Sequence, residues 1–115
     1  MNIMTLGNMK AKIDFDQDAE LFRGEILGLT GSVDFYGKTV TELKREFKKS
    51  LAVYLDECTR RGIAPYKSYS GKFVARIGPD IHEMISIAAA DEDKTLNAWV
   101  KDTLKQAVHS SSLTR

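Results

Sequence analysis

Apolar and polar residues alternate along the first third of the chain, and the period then changes. In Lys10–Asp16, Ala11, Ile13 and Phe15 alternate with Lys12, Asp14 and Asp16. A period of two predicts a strand with one buried face. Met1–Met9 reads as a loose start, and the polar Asp16–Ala19 as a turn. Glu20–Leu29 alternates again, with Phe22 and Ile26 set apart from Arg23 and Glu25. Gly24 interrupts this run and points to a bulge or a close contact. Leu29-Thr30-Gly31 reads as a second turn, and Ser32–Tyr36 as a third strand with Val33 and Phe35 on one face. Three strands with short links predict an antiparallel meander.

A period of three and four follows. Thr39 and Glu42 have the spacing of a capping box. Leu43, Phe47, Leu51, Tyr54, Leu55 and Cys58 then run down one helix face. Arg60 and Arg61 suit the negative end of the helix dipole, and Gly62 suits its C′ position. Ile63–Ser70 shows no period and reads as a linker. The predicted organisation is a domain over 1–66, a linker over 67–70 and a second domain over 71–115. The only low-complexity tract is the Ser110–Ser112 tail.

The second domain opens with one more alternating stretch, Lys72–Ile77. Phe73, Ala75 and Ile77 fall on one face, and Lys72, Val74 and Arg76 on the other. Gly78-Pro79 ends it, and Pro suits the first turn of a helix. Ile81, Met84, Ile85 and Ala88 have the spacing of a helical stripe. Asp91–Lys94 breaks that stripe. Thr95 is an N-cap for another helix, faced by Leu96, Trp99, Val100, Thr103, Leu104 and Ala107. An isolated strand leaves its backbone groups unpaired, which is costly when buried. The simplest repair is a two-fold mate, with the apolar face of both copies turned onto four helices.

This order of parts resembles the ribbon-helix-helix DNA-binding domain of the Arc and MetJ repressors. The resemblance rests on K-F-V-A-R-I, then Gly-Pro, then a helix pair with T-L-N at the second start. It implies a homodimer closed by Phe73, Ala75 and Ile77, with Trp99 compatible with the same interface. It also implies base readout in the major groove by Lys72, Val74 and Arg76, and a phosphate held at Thr95, Leu96 and Asn97. The chemistry is consistent with this. Arg and Lys donate to guanine O6 and N7, and Val packs on a thymine methyl. A helix N-terminus is a ready anion site. Val74 departs from members that carry a polar reader at that position, so fewer base hydrogen bonds are on offer.

Composition narrows the classes. The 115 residues carry a net charge of +1, so nucleic-acid binding must come from a local arrangement and not from bulk basicity. No apolar run approaches a membrane span, and the N-terminus has no signal-peptide pattern. One cysteine, Cys58, forms no internal disulfide and points to a reducing, cytoplasmic setting.

Three strands, a helix, Y-L-D-E-C at Tyr54–Cys58 and P-Y-K-S-Y-S-G-K-F at Pro65–Phe73 resemble the HicB family of antitoxins over nearly the whole chain. In one branch of that family a partial ribonuclease-H-like domain precedes a ribbon-helix-helix domain. The implied fold class is α+β. The implied function is an antitoxin of a type II toxin–antitoxin system. Its first domain would neutralise an mRNA-cleaving toxin of the HicA type, and its second would bind operator DNA and repress the shared operon. A stand-alone regulator, or an interaction module whose ribbon only dimerises it, fits the same residues. Association beyond the dimer is open.

Other candidate chemistry reduces to ordinary roles. Asp14, Asp16, Asp18 and Glu25 imitate an EF-hand, but Ala19 stands where Gly is needed and strands flank the segment. The acids cluster at a hairpin, with no helix carboxylate beside them for two-metal hydrolysis. His82 and His109 have no metal-spaced partner, and Cys58 lies on an apolar helix face. Lys44, Arg45, Lys48 and Lys49 read as the wet side of a helix. No catalytic residue, metal or cofactor is expected.

Overall fold

A computed structural model describes residues 2–110; most of the Ser110–Ser112 tail lies outside them. The chain divides into two compact units, Met1–Ser70 and Gly71–Arg115.

The first unit contains four strands, not three. They are β1 (Asn2–Leu6), β2 (Met9–Asp16), β3 (Leu21–Ile26) and β4 (Asp34–Gly37), paired antiparallel in chain order. The expected loose start is therefore a strand. Leu6 pairs with Met9 across the two-residue turn Gly7-Asn8, and Gly7 has φ 59°. A positive φ at the first turn residue is what a tight hairpin demands and glycine supplies.

One face of the sheet carries Met4, Leu6, Ala11, Ile13, Gly24, Ile26 and Phe35, and α1 (Val40–Arg61) lies across it. Ala11, Ile26, Leu29, Phe35, Leu43 and Phe47 form the buried core. Phe35 stacks on Phe47 with ring centroids 4.9 Å apart. Gly24 is buried, pairs with Phe35 across β3 and β4, and lies under its ring. Of the two readings of that glycine, close approach is the correct one, because the ladder passes through it in register.

Helix α1 is fixed at both ends. Thr39 Oγ1 accepts from the Glu42 N–H at 3.1 Å. At the other end Gly62 is left-handed (φ 66°), while its N–H donates to Thr59 O and the Ile63 N–H to Cys58 O. That pair of bonds is a Schellman closure. The aperiodic stretch that follows is pinned over part of its length. Thr30 N–H donates to Pro65 O at 3.0 Å, and Lys67 N–H to Gly28 O at 2.9 Å. Tyr54 Oη donates to Pro65 O at 2.9 Å, accepts from the Gly31 N–H at 3.0 Å and lies 2.8 Å from Thr30 Oγ1.

The second unit holds α2 (Pro79–Asp91) and α3 (Leu96–His109). Lys72–Ile77, expected as a strand, joins no ladder among the described residues. The four strands pair with their sequence neighbours, and among the described residues none of them pairs with this segment. The turn between the helices closes on Asp93, whose φ of 55° takes the place usually given to glycine. Lys94 N–H donates back to Ala89 O at 2.9 Å.

Candidate functional site

In the second unit, Gly71 and Gly78 bracket the Lys72–Ile77 segment with φ of 86° and 84°. Side chains other than glycine rarely adopt that conformation, so both ends of the segment are set by residue type. Pro79 then starts α2 with its fixed φ, and Gly78 O accepts the first helical hydrogen bond, from His82, at 3.1 Å.

Between these ends the side chains divide by position. Phe73, Ala75 and Ile77 line an apolar cleft of about 450 Å³ with Ile81, Ile85, Leu96, Trp99, Val100 and Leu104. Val74 points away and is 88% exposed. Lys72 and Arg76 are exposed as well. The cleft is an open apolar surface: Phe73 keeps 75% of its area in solvent, and Ala89 is the one buried apolar residue among the described residues of this unit. The four residues assigned to a dimer interface therefore share one surface, and the three assigned to base readout lie off it.

The start of α3 is capped. Thr95 Oγ1 accepts from the Ala98 N–H at 3.1 Å, and Trp99 N–H donates to Thr95 O at 3.0 Å. Leu96 and Asn97 hold the first two helical positions, where an N–H has no acceptor inside the helix. An anion at this end would meet those two N–H groups, with Thr95 already committed as the cap. Trp99 Nε1 donates to Glu92 at 2.5 Å, so its polar edge holds the turn while the rest of the ring lines the cleft. Lys94 lies 3.5 Å from Glu92 and 3.2 Å from Asp102. The bond to Asp102 raises the ammonium pKa above its ordinary value.

The first unit presents three further surfaces. On the helix side the apolar face of the sheet runs past α1. Phe15 was expected inside but is 57% exposed, because its end of β2 lies beyond the helix. It packs edge-on against Phe22 at 5.4 Å, and Phe22 shares a shallow cleft with Ile13 and Val40. The open side of the sheet is a lattice of charges. Arg23 donates to Asp34 Oδ2 from Nη2 at 2.9 Å and Nε at 3.2 Å, and lies 3.9 Å from Glu25. Glu25 and Asp34 are direct cross-strand partners, so Arg23 separates two like charges. Its own pKa is raised, chiefly by the bond to Asp34. Asp16 Oδ1 accepts from the N–H groups of Asp18 and Ala19 at 3.1 Å each, which gives that acid a role in the hairpin turn. The third surface is the outer side of α1, with Lys44, Arg45, Lys48 and Lys49.

Residues 54–104 match the HicB family. The HicB match covers somewhat less than half of the chain. It runs from Tyr54 in α1, across the junction of the two units, through α2 and into α3. It thus includes the Tyr54–Pro65 bond, the whole Lys72–Ile77 segment, the Thr95 cap and the apolar cleft. No curated protein and no solved structure matches the chain. Among the described residues, no helix is long and apolar enough to cross a membrane.

Proposed function

We propose that the chain is the antitoxin of a type II toxin–antitoxin pair, working as a cytoplasmic homodimer. It represses its own operon through DNA binding by the Gly71–Arg115 unit. It also neutralises an mRNA-cleaving toxin of the HicA type through the first unit. No catalytic step or cofactor belongs to this reading.

One observation carries it: an unfinished apolar surface inside a span that matches the HicB family. A unit of this size rarely buries enough apolar area to fold unaided, and oligomerisation is a common remedy. A second copy of Lys72–Ile77, paired antiparallel, would give the segment the ladder it lacks among the described residues. The same pairing would cover Phe73, Ala75 and Ile77 from both copies and turn Lys72, Val74 and Arg76 outward. A two-stranded ribbon fits the major groove, where Arg and Lys donate to guanine and Val meets thymine methyls. Leu96 and Asn97 N–H groups would hold a backbone phosphate, which positions the protein without reading sequence.

The test has two arms. Wild type and Arg76→Ala are titrated against the duplex upstream of the chain's own reading frame and against a scrambled duplex. Wild type should prefer the upstream duplex, and Arg76→Ala should lose about 1–3 kcal/mol on it with relaxed specificity at one base pair. Equal wild-type affinity for both duplexes sinks the repressor reading. The protein encoded in the adjacent frame is then expressed with and without this chain. It should arrest growth alone and not in company. DNA discrimination without such a toxin would instead mark a stand-alone regulator.

A further inference from the structure

We propose that the outer face of α1 is a second nucleic-acid contact, which binds the phosphate backbone of duplex DNA without reading its sequence. It goes beyond the antitoxin reading and does not depend on the Lys72–Ile77 segment. Lys44, Arg45, Lys48 and Lys49 are all exposed, while Leu43 and Phe47 of the same turns are buried. At 3.6 residues per turn the four cations span an arc from the edge of the buried face, at Lys44, round to its far side, at Arg45. They lie within about 8 Å along the axis.

Two features separate this face from an ordinary wet side. Lys44 with Lys48, and Arg45 with Lys49, are like-charge pairs one turn apart, which weaken a helix. And among the described residues none of the four is in an ion pair, whereas the far end of the same helix is fully matched. There Arg60 meets Asp56 and Glu57, and Arg61 meets Glu57. The helix thus pairs its charges at one end, while at the other the four cations outnumber Glu42 and Glu46 by two, in a chain whose net charge is only +1. A polyanion would turn that cost into a gain. Duplex DNA presents one negative charge per ~1.7 Å of axis, dense enough to meet all four cations at once. Thr41 and Ala52, at the centre of the arc, are small, and the apolar cleft of Phe22 and Val40 borders the patch only at Lys44.

The experiment uses the full chain and a random-sequence duplex that excludes the upstream region, with binding followed by anisotropy between 50 and 200 mM salt. The quadruple variant K44Q/R45Q/K48Q/K49Q should bind at least tenfold more weakly at the lowest salt. Its log–log salt slope should fall by about 2–4, since each phosphate contact contributes about 0.9. Lys48→Gln alone should lower the slope by about 1, which keeps the test open should the quadruple variant fail to fold. K44R/K48R/K49R, which keeps every charge, should retain the wild-type slope. An unchanged slope in the glutamine variants, or wild type that does not bind the random duplex, overturns the proposal. So does a quadruple variant that binds duplex normally but no longer neutralises the toxin from the adjacent frame, since the face would then belong to a protein. Arg76→Ala run alongside keeps the two readings apart. Loss of preference for the upstream duplex with the slope intact concerns the ribbon, and loss of slope with preference intact concerns α1.

Discussion

Gly24→Ala puts a methyl group in place of one hydrogen, and the structure gives that carbon nowhere to go. An ideal Cβ at residue 24 would stand 2.2 Å from Phe35 Cζ and 2.5 Å from both Cε atoms. Carbon atoms settle at about 3.5–4.0 Å. The ring must therefore retreat by more than 1 Å, by about the difference of those distances. It has little room, being 3% exposed and stacked on Phe47, which is fully buried. The backbone at residue 24 is not in the left-handed region, so the penalty is steric and does not come from conformation. Overpacking of a tight core costs about 1–3 kcal/mol. Alanine recovers some of this, since glycine in a strand weakens it by about 0.5–1 kcal/mol. The expected net loss is about 1–2 kcal/mol, and Val in the same place should cost more.

The assay is urea unfolding of the full chain followed by circular dichroism, with amide hydrogen exchange on β2, β3 and β4 to place the loss in the sheet. A cycle with Phe35→Leu tests the cause. That change alone should cost a part of the ~3–5 kcal/mol of a Phe→Ala truncation. In the double variant the methyl group would occupy space the ring has vacated, so the pair should be less destabilising than the sum by about 1 kcal/mol or more. Strict additivity, or a Gly24→Ala protein as stable as wild type, would refute the close-approach argument.

Tyr54→Phe removes a hydroxyl that meets Thr30, Gly31 and Pro65, and should cost about 1–3 kcal/mol and speed exchange of the Thr30 amide; an unchanged melt would mean that water replaces it freely. Asp93→Gly relieves a left-handed aspartate at the α2–α3 turn and should raise stability by about 0.5–1 kcal/mol, read as a higher denaturation midpoint followed by Trp99 fluorescence. Under the proposed function, Ala75→Pro removes a ladder donor and should yield monomers by sedimentation velocity; a wild type that sediments as a folded monomer at micromolar concentration would end the dimer reading.

The sequence was most legible where side chains repeat with a clean period. The Thr39 start, the Leu43–Cys58 stripe and the Gly62 stop of α1 all follow from residue type and spacing. β1 was lost because Ile3 is apolar on the outer side of the sheet and Asn2 polar on the inner side, which blurs the alternation. The Gly7-Asn8 pair between two apolar runs was the available signal, a known two-residue hairpin sequence. Phe15 kept its predicted face but not its predicted burial, since how far a helix reaches over a sheet is a tertiary fact. Residues 64–67 were opaque for another reason: they are tied largely through backbone groups, to Thr30 and Gly28, and backbone groups leave no pattern in a sequence. In the second unit the alternation of Lys72–Ile77 matches which side chains line the cleft, although no ladder among the described residues enforces it.

The two units meet the cost of ordering a chain in different ways, and this decides where a change of sequence will be felt. The first unit closes a core around Phe35 and Phe47 with its own residues, so substitutions there act on one chain's stability. The second unit brings a helix pair, an apolar cleft and a glycine-bracketed segment, and leaves most of its apolar side chains in water. Contiguous exposed apolar surface in a soluble protein marks an interaction site. Whatever covers that surface shares in the unit's stability by mass action, so substitutions there act through concentration and partner as much as through the fold. Under the proposed function a second copy completes the cleft, because a two-fold interface requires only that one patch be self-complementary. The patch in that reading is an apolar row, Phe73, Ala75 and Ile77, whose neighbours of opposite facing are a lysine, a valine and an arginine. Under the proposed function, closing the dimer and presenting a cationic edge to DNA would be one geometric event.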